Sequence, residues 1–412
     1  MDFGFDESQR MFRENLRDFL EGEIAPLVDA QEKKGPMDRE EALDLLRRFR
    51  KVGVGFDLDS LRELGSDPVC VGILAEEMFR VWPSAAGLVG LTFPAALVYL
   101  GPEDMRRRWL PRLERNEVIG CYAITEPKAG SDNRAMRTTA VLDGDYYVVN
   151  GTKTWISNAP VADICLLVAN DDKGNRIFLL VEKEVSPFQT GTLHKLGWRA
   201  APTGEIYFDN CRVPRENNVL DMVQRTLSDP ERLRELGVEL DPSRLQSSGF
   251  MGVLSRMSPE NVIFAFLRSG MALAAAGISQ AALDASIKFA RERVQFGKPI
   301  GRFQLVQEML YNMTALTETS RLLGYKALWA VTRGDPQARM LSSLAKGYAC
   351  DAAVKVTYDA IQIHGGMGLS DEYPLERYFR DARMLTIPDG TAEIQKLIVG
   401  RELLGPGFSA YA

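Results

Sequence analysis

The chain has 412 residues, of which 45% are hydrophobic and 26% are charged. This balance is typical of a soluble globular protein, and the length predicts two or three domains rather than one compact core. The net charge of −6 and the pI near 5.4 argue against a general nucleic-acid-binding protein.

Five cysteines are spread widely along the chain, with spacings that match neither a metal site nor a redox pair. They are Cys70, Cys121, Cys165, Cys211 and Cys350. An odd number at these spacings predicts structural thiols in a reducing compartment. The N-terminal residues lack the basic and apolar regions of a signal peptide, and no run reaches the roughly 18 apolar residues of a membrane span. We therefore expect a cytoplasmic protein without a membrane span.

Residues 1–118 have helical periodicity and predict an N-terminal helical domain. An apolar stripe at spacings of three and four predicts a first amphipathic helix, with Pro26 near its end. The stripe consists of Phe12, Leu16, Phe19, Leu20 and Ile24. Val69–Arg80 and Ala85–Leu100 are more uniformly apolar and predict buried helices, and Glu103–Arg115 predicts a charged helix.

Residues 119–220 change to short runs of β-branched and aromatic residues, which predict strands. The predicted strands include Val141-Leu142, Tyr146–Val149, Ile164–Val168, Ile177–Val181 and Ile206–Phe208. Turn signals such as Asp143-Gly144-Asp145 and Asn150-Gly151 lie between them. We therefore predict a middle β-barrel or β-sandwich domain.

Residues 221–250 are a charged insertion that contains Pro230 and Pro242. We predict a solvated loop with a helical turn, and a lid or a surface excursion are the alternatives. Residues 251–412 predict a C-terminal helical bundle. Its predicted helices are Asn261–Arg293, Phe303–Arg333, Ala338–His364 and Thr391–Leu404. The expected fold class is thus α+β and multidomain, in the order helical, β, helical.

A break between two helices within Tyr378–Gln395 holds one carboxylate in a turn. Pro388 and Gly390 bracket Asp389, and a new helix begins near Thr391. A carboxylate on such a fixed backbone suits a general base, because geometry must be right before the pKa matters. Judged from these residues alone, Asp389 could instead simply cap the following helix.

Five segments of the chain share their sequence with one protein family. They are Tyr122–Asp132 (YAITEPKAGSD), Gly151–Asn158 (GTKTWISN), Leu196–Pro214 (LGWRAAPTGEIYFDNCRVP), Arg291–Gln304 (RERVQFGKPIGRFQ) and Ile361–Gln395, which ends in DGTAEIQ. With these segments in this order, nearly the whole chain resembles the acyl-CoA dehydrogenase family. The resemblance implies a helical N-terminal domain, a middle β domain and a C-terminal four-helix bundle, with bound FAD in a homotetramer. It also implies an acyl-CoA substrate and an electron-transfer flavoprotein as the electron acceptor.

The resemblance assigns two groups of residues to FAD. In the β domain they are Tyr122, Ile124, Thr125, Gly130, Ser131, Trp155 and Ser157. In the helical domain they are Arg293, Gln295, Phe296, Gln304, Gln362, Gly365, Gly366, Thr391 and Glu393, although the family often has glutamine at the last position. The resemblance implies that Trp155 packs on the flavin ring and that Arg293 binds the FAD diphosphate of a neighbouring subunit. Without it, Trp155 would be assigned to a strand core and Arg293 to a solvated helix end.

The chemistry of this family requires a base and a hydride acceptor. Removing hydrogens from Cα and Cβ of a thioester needs a base for the α-proton, and no side chain accepts a hydride, so a flavin must. The chain has no strand-GxGxxG-helix unit, so we do not expect a Rossmann flavoprotein. With only His194 and His364, we expect neither a zinc site nor a Ser-His-Asp triad.

The sequence departs from the family pattern at the base. The family motif reads Tyr-Glu-Gly-Thr, but here Pro388 and Asp389 replace the aromatic residue and the glutamate. Some members carry their glutamate on the long helix, just before the arginine that matches Arg268, but that position is Leu267 here. Asp389 is therefore the expected base. It is one methylene shorter, and a displacement of about 1 Å can cost about a hundredfold in rate.

The expected substrate contacts are Ser131, Phe264, Leu267, Arg268 and Gly390, and Leu91, Thr92 and Phe93 could line the acyl pocket or be plain core. Three functions stay open. The first is an FAD-dependent acyl-CoA dehydrogenase that makes an enoyl-CoA from a bulky, cyclic or dicarboxylic acyl-CoA. The second is a flavoenzyme of the same fold with altered chemistry, such as 1,4-dehydrogenation of a cyclic acyl-CoA, oxidation by O₂, or action on a carrier-protein thioester. The third is a non-catalytic flavin- or acyl-CoA-binding subunit of a hetero-oligomer, against which the intact flavin motifs argue.

Overall fold

The computed structural model describes residues 4–237, 259–408 and 410. The N-terminal part is helical. Its helices are α1 (Glu7–Phe19), α2 (Ala25–Lys34), α3 (Arg39–Arg50), α4 (Leu58–Ser66), α5 (Pro68–Val81), α6 (Pro83–Gly90) and α7 (Glu103–Leu113). A π-helical turn, Leu20–Ile24, joins α1 to α2, so Pro26 lies in the first turn of α2. Proline fits there because a first-turn N–H has no partner within the helix.

The stretch Ala85–Leu100, predicted as one helix, is divided in two. Helix α6 ends at Gly90, and a 3₁₀ helix follows at Phe93–Leu100. Pro94 lies in the first turn of that second helix and has no N–H to continue the hydrogen-bond ladder of α6. The prediction of one continuous helix was therefore wrong, and the break exposes one side of Leu91 and Phe93.

The middle part of the chain is a seven-stranded sheet in the order β1-β4-β2-β3-β7-β6, and β5 pairs with β4. The strands are β1 (Gly120–Ala123), β2 (Thr139–Asp143), β3 (Tyr146–Ser157), β4 (Ile164–Asn170), β5 (Arg176–Glu182), β6 (Gln189–Thr192) and β7 (Thr203–Pro214). The sheet curls around its own buried core, which includes Cys121, Val149 and Leu167. The predicted middle β domain is confirmed. Its longest pair, β3 with β7, changes register between Lys153 and Ile156.

The C-terminal part is again helical, as predicted. After α8 (Val219–Leu227) and α9 (Pro230–Glu235) come α10 (Pro259–Glu292), the hairpin β8 (Val294–Gln295) and β9 (Lys298–Pro299), α11 (Gln304–Thr332), α12 (Ala338–His364), α13 (Leu375–Leu385) and α14 (Ala392–Leu404). Helix α10 packs against α11, α12 and α5. A β-carbon on Gly277 would lie 2.1 Å from the carbonyl oxygen of Glu76, so only glycine permits this approach of α10 to α5.

The charged stretch after the sheet is docked on the N-terminal helices where it is described. Leu233 is buried, and Arg232 donates to the carbonyl oxygens of Tyr99 and Gly101. Arg62 donates to the carbonyl oxygen of Glu235 at the end of α9. The prediction of a solvated loop was therefore wrong for this part, because the helices bury an apolar side chain. The remainder of the predicted insertion, residues 238–250, lies outside the described residues.

Two stretches of the described chain are long and apolar enough to cross a membrane, Pro83–Leu100 and Asn261–Glu292. Within them, 61% and 67% of the most apolar window is buried inside the protein. Burial of this extent is typical of core helices, whose apolar surface faces other helices rather than lipid. The prediction that no stretch of the chain is long and apolar enough to span a membrane was therefore wrong.

Candidate active site

Asp389 lies in the turn between α13 and α14, where the sequence predicts a break. Asp389 has φ +56° and Gly390 has φ +90°, both in the left-handed region. Aspartate is one of the few non-glycine residues that adopt this region readily, because its short polar side chain can hydrogen-bond locally. The cap of α14 is Thr391, whose side chain accepts from the N–H of Ile394 at 3.4 Å. The alternative in which Asp389 merely caps this helix is therefore wrong.

Three buried side chains from three helices hold the backbone of this turn. Arg268 on α10 donates from Nε to the carbonyl oxygen of Asp389 at 3.1 Å. Lys346 on α12 donates from Nζ to the carbonyl oxygen of Gly390 at 2.8 Å. Gln395 on α14 donates from Nε2 to both carbonyl oxygens, at 3.1 and 2.8 Å. Because all three bind main-chain oxygens, they fix the turn without engaging the carboxylate.

Asp389 is half-buried, and its carboxylate accepts no hydrogen bond from the described residues. Burial raises the pKa of Asp389, and the cations of Lys346 and Arg268 offset part of that effect. A carboxylate with a raised pKa is a stronger base once it is ionised, which suits proton abstraction near neutral pH. Burial lowers the pKa of Arg268 to about 10, so the guanidinium remains charged beside the turn at neutral pH.

The predicted substrate residues of α10 share one helix face. Leu267 and Arg268 lie three and four positions after Phe264, and residues at these spacings are neighbours on the surface of a helix. Phe264 and Leu267 are half-buried, and the guanidinium of Arg268 lies 5.4 Å from the Phe264 ring centroid. Through Arg268, this face is joined to the turn that carries Asp389 and Gly390.

The other predicted pocket residues divide into core and surface. Thr92 is fully buried, and its Oγ1 donates to the carbonyl oxygen of Leu88 at 2.9 Å, so it is a core residue. Leu91 and Phe93 are half-buried, and Phe93 packs edge-on against Phe56 with ring centroids 5.2 Å apart. Leu91 and Phe93 therefore remain the candidates for a pocket wall on this side.

Trp155 lies at the register shift in β3, with φ +59°, and its side chain is 56% exposed. The assignment of Trp155 to a strand core, made from the residues alone, is therefore wrong. A left-handed backbone in a β-strand re-aims the side chain, and bulges of this kind often occur next to functional sites. The result is an indole face open to solvent.

A buried ion pair ties the neighbouring turn to this bulge. Lys153, which is fully buried, lies 2.9 Å from the carboxylate of Glu126 and donates to the carbonyl oxygen of Ile124. The N–H of Thr154 donates to the carbonyl oxygen of Thr125 at 2.9 Å. The predicted flavin contacts Ile124 and Thr125 are thereby held next to the strand that carries Trp155.

The remaining β-domain residues of the predicted flavin site belong to β1, to β3 and to the turn that follows β1. Tyr122 lies in β1 and is half-buried, Ser157 ends β3, and Gly130 and Ser131 are exposed in the turn after β1. The hydroxyls of Ser131 and Ser157 make no hydrogen bond with the described residues, so they are free to bind a ligand.

The predicted flavin residues of the helical domain form a second, exposed group. Phe296, at the tip of the β8–β9 hairpin, is 92% exposed with φ +51°. The guanidinium of Arg293 makes no hydrogen bond or ion pair within the described chain. Gln295, Gln304, Gln362 and Glu393 are also exposed. No hydrogen bond, ion pair or ring contact among the described residues joins the hairpin to Trp155.

The glycines after α12 leave open space. Gly365 has φ +59°, and a β-carbon on Gly365 or Gly366 would meet no atom within 4 Å. The open space at these glycines, the exposed indole of Trp155 and the unpaired guanidinium of Arg293 are features that suit FAD. The cofactor has an aromatic ring system, an anionic diphosphate and a ribose that main chain can approach closely.

Sequence reasoning missed Lys346 and Gln395 as parts of the site. Lys346 is the one charged residue in the run Leu341–Cys350, which otherwise holds small, apolar or hydroxyl side chains. This could have identified Lys346 as a buried residue, because lysine is almost never buried without a specific partner. No group of three or more His, Cys, Asp or Glu side chains that could hold a metal ion occurs in the described ranges.

Three sequence models of one family match the chain. The acyl-CoA dehydrogenase N-terminal domain matches residues 6–117, the middle domain matches residues 121–211, and the C-terminal domain matches residues 261–404. A glutaryl-CoA dehydrogenase of Desulfococcus multivorans is 34% identical over 98% of this chain and 98% of its own length.

Two solved structures share the fold over almost the full length. A glutaryl-CoA dehydrogenase bound to glutaryl-CoA has a TM-score of 0.81 at 32% identity, covering 98% of this chain and 97% of that one. A glutaryl-CoA dehydrogenase of Mycobacterium smegmatis in complex with FADH2 has a TM-score of 0.79 at 25% identity, covering 99% and 97%.

Proposed function

The chain belongs to the acyl-CoA dehydrogenase family of FAD-dependent oxidoreductases, and from this premise we propose that it converts an acyl-CoA to an enoyl-CoA with Asp389 as the base. The observation that carries the proposal is the turn itself. Its main-chain oxygens are held by Arg268, Lys346 and Gln395, while the carboxylate of Asp389 has no hydrogen-bond partner among the described residues. A carboxylate that is fixed in place but unengaged is what proton abstraction needs.

In this reaction the ionised carboxylate of Asp389 accepts the proton on Cα of the thioester. FAD, when bound, would supply the acceptor for the hydride on Cβ, so that two hydrogens and two electrons leave the substrate in all. The cations of Lys346 and Arg268 place positive charge beside the carboxylate. Their charge favours the ionised form of the base before reaction and offsets part of the rise in its pKa that burial causes.

We propose that FAD is held by Trp155, Thr125 and Ser157 at its ring and by Arg293 of a neighbouring subunit at its diphosphate. A homotetramer supplies that neighbour. Large apolar side chains on the described surface support subunit contacts, because exposed apolar patches mark such interfaces. They include Phe296, Leu305, Tyr311 and Trp329, which are 92%, 72%, 72% and 54% exposed.

The acyl group is proposed to be bulky, cyclic or dicarboxylic. Asp389 is one methylene shorter than glutamate, so the substrate Cα must lie closer to the turn, and Pro388 re-aims the wall beside it. Relatives named for glutaryl-CoA favour a dicarboxylic acyl group. The apolar side chains of Phe264 and Leu267 favour a ring or a branched chain instead.

The test is an anaerobic titration of the purified holoenzyme with butyryl-, glutaryl-, cyclohexanecarbonyl- and phenylpropionyl-CoA. We expect prompt bleaching of the flavin by at least one thioester and a loss of about a thousandfold in that rate in Asp389→Asn. The matched control is Asp172→Asn, which changes an exposed aspartate in the β4–β5 turn. Full rates of flavin reduction in Asp389→Asn would remove Asp389 as the base.

The physiological electron acceptor is proposed to be an electron-transfer flavoprotein. Reoxidation of the bleached enzyme by that partner, with slow reoxidation in air, is the expected result. Rapid formation of hydrogen peroxide in air would instead identify an oxidase of the same fold. Absence of bleaching with every thioester would point to a binding subunit.

A further inference from the structure

Lys346 is the most deeply buried cation at the base turn. It lies in the N-terminal half of α12, is 0% exposed, and forms no ion pair within the described chain. Burying an ammonium group without a carboxylate partner is unfavourable, and burial lowers the pKa of Lys346. The side chain therefore stays there at a cost to stability, and its two hydrogen bonds indicate what it does.

Both hydrogen bonds of Lys346 go to the loop that carries the proposed base. Nζ donates to the carbonyl oxygen of Thr386 at 3.2 Å and to that of Gly390 at 2.8 Å. Thr386 is the C-terminal cap of α13, where the helix dipole favours a positive charge. Gly390 directly follows Asp389, so one ammonium group joins the two ends of a five-residue loop and holds Asp389 between them.

Asp389 is also the ionisable group on which the charge of Lys346 acts. The other titratable groups that face Lys346 are Cys350 and Asp351 on its own helix and Arg268 on α10. Burial raises the pKa of Cys350 to about 12, so that thiol is neutral. The carboxylate of Asp351 lies 3.2 Å from the ammonium group of Lys396 and so has another lysine as its ion-pair partner.

We infer that Lys346 is a positioning residue for the reaction: it fixes the loop around Asp389 and supplies positive charge that faces the base. This inference rests on the proposed role of Asp389. Only the ionised carboxylate can accept the substrate proton, so loss of the nearby cation lowers the ionised fraction at a given pH. The acid limb of the pH–rate profile then moves to higher pH.

The test compares Lys346→Met, Lys346→Gln and Lys346→Arg as FAD-loaded proteins, with flavin reduction by acyl-CoA followed across pH. In the two neutral variants we expect the acid limb of the kcat/KM profile to move up by about one pH unit. At a pH below the limb, kcat/KM then falls about tenfold. Lys346→Arg keeps the charge and should leave the limb in place. The glutamine variant keeps a hydrogen-bond donor if methionine prevents folding.

Lys396→Met is the matched control, because it makes the same chemical change at an exposed lysine of α14 whose ion-pair partner, Asp351, lies on α12. Its pH–rate profile should match that of the unmodified protein. A neutral variant of Lys346 whose rate falls equally at every pH, or not at all, overturns the inference while the proposed function stands. Failure of the unmodified protein to bleach with any thioester refutes the proposed function itself.

Discussion

The side-chain amide of Gln395 occupies the space that a β-carbon on Gly390 would need: the two atoms would lie 2.6 Å apart. The same amide donates to the carbonyl oxygen of Gly390 at 2.8 Å. Gly390 also has φ +90°, a backbone conformation that strains any L-residue with a side chain. The glycine after the base is therefore required by its packing against α14 as well as by its backbone.

Gly390→Ala should displace the turn and slow flavin reduction by about ten- to a hundredfold, because small errors in the position of a base are costly. FAD content should stay unchanged. Gly400→Ala is the control, since a β-carbon there meets no atom within 4 Å. In a helix it should add about 0.5–1 kcal/mol of stability without changing the rate. Stopped-flow absorbance measures both rates, and an unchanged rate in Gly390→Ala would contradict the prediction.

The stability of Asp389→Asn relative to the unmodified protein should increase as pH rises. Burial raises the folded-state pKa of Asp389 above its ordinary value of 3.8, so the folded protein binds this proton more tightly than the unfolded chain. Its contribution to stability is present below the unfolded pKa and is lost as pH rises through the folded pKa. Asparagine does not titrate and tolerates the left-handed backbone.

The melting temperature of Asp389→Asn, compared with that of the unmodified protein, should therefore improve as pH rises above 3.8, the ordinary pKa of aspartate. Differential scanning fluorimetry at several pH values measures this change. A variant that loses more stability at the higher pH would contradict the assigned sign and indicate that the carboxylate is stabilised by its cationic neighbours.

Asp389→Glu tests whether the pocket is shaped around the shorter acid. We expect kcat/KM to fall about tenfold for the best bulky or cyclic substrate, since the longer side chain pushes the carboxylate into its Cα. The rate with butyryl-CoA should rise relative to that substrate. The ratio of the two kcat/KM values is the measurement, and an equal effect on both substrates would argue against a re-shaped pocket.

Glu126→Gln should weaken both the fold and the binding of FAD. The ion pair of Glu126 with Lys153 is buried, with side chains 5% and 0% exposed, so its loss leaves an unpaired ammonium and costs about 3 kcal/mol. The turn that carries Thr125 loses one of its anchors at the same time, while the N–H of Thr154 still donates to the carbonyl oxygen of Thr125. Denaturant unfolding and the fraction of FAD kept through gel filtration measure the two effects.

The double variant Glu126→Leu with Lys153→Met provides the comparison for that experiment. Replacing both charges by apolar groups should recover much of the stability, because neither partner is then left unpaired. The turn at Thr125 would still lack the hydrogen bonds that Lys153 donates to Glu126 and to the carbonyl oxygen of Ile124, so FAD binding should remain weak. Full recovery of FAD binding would show that the ion pair has no role in holding the flavin turn.

Arg293→Gln should weaken FAD binding by about tenfold, because a charged hydrogen bond to the diphosphate is lost. Arg291→Gln is the control, since Arg291 is also an exposed arginine, in the last turn of α10. The dissociation constant of FAD, measured by reconstitution of the apoprotein, should change only in the first variant. Equal effects in both would indicate a general charge effect.

The domain order and the position of the base turn could be predicted from the sequence alone. Helical and strand periodicity are local properties, and Pro388 and Gly390 interrupt a helix regardless of what surrounds them. The family motifs likewise lie on continuous segments, which is why Trp155, Arg293 and Asp389 could be named in advance. Their roles in the reaction remain predictions.

Only the tertiary structure decided what surrounds Asp389. Lys346 precedes the turn by more than forty residues and Arg268 by more than a hundred, so their contacts depend on how α10 and α12 pack. The exposure of Trp155 depends on a register shift between β3 and β7 that no local pattern reveals. Periodicity records which face of a helix is apolar, but the groups that meet in space are set by packing between distant elements.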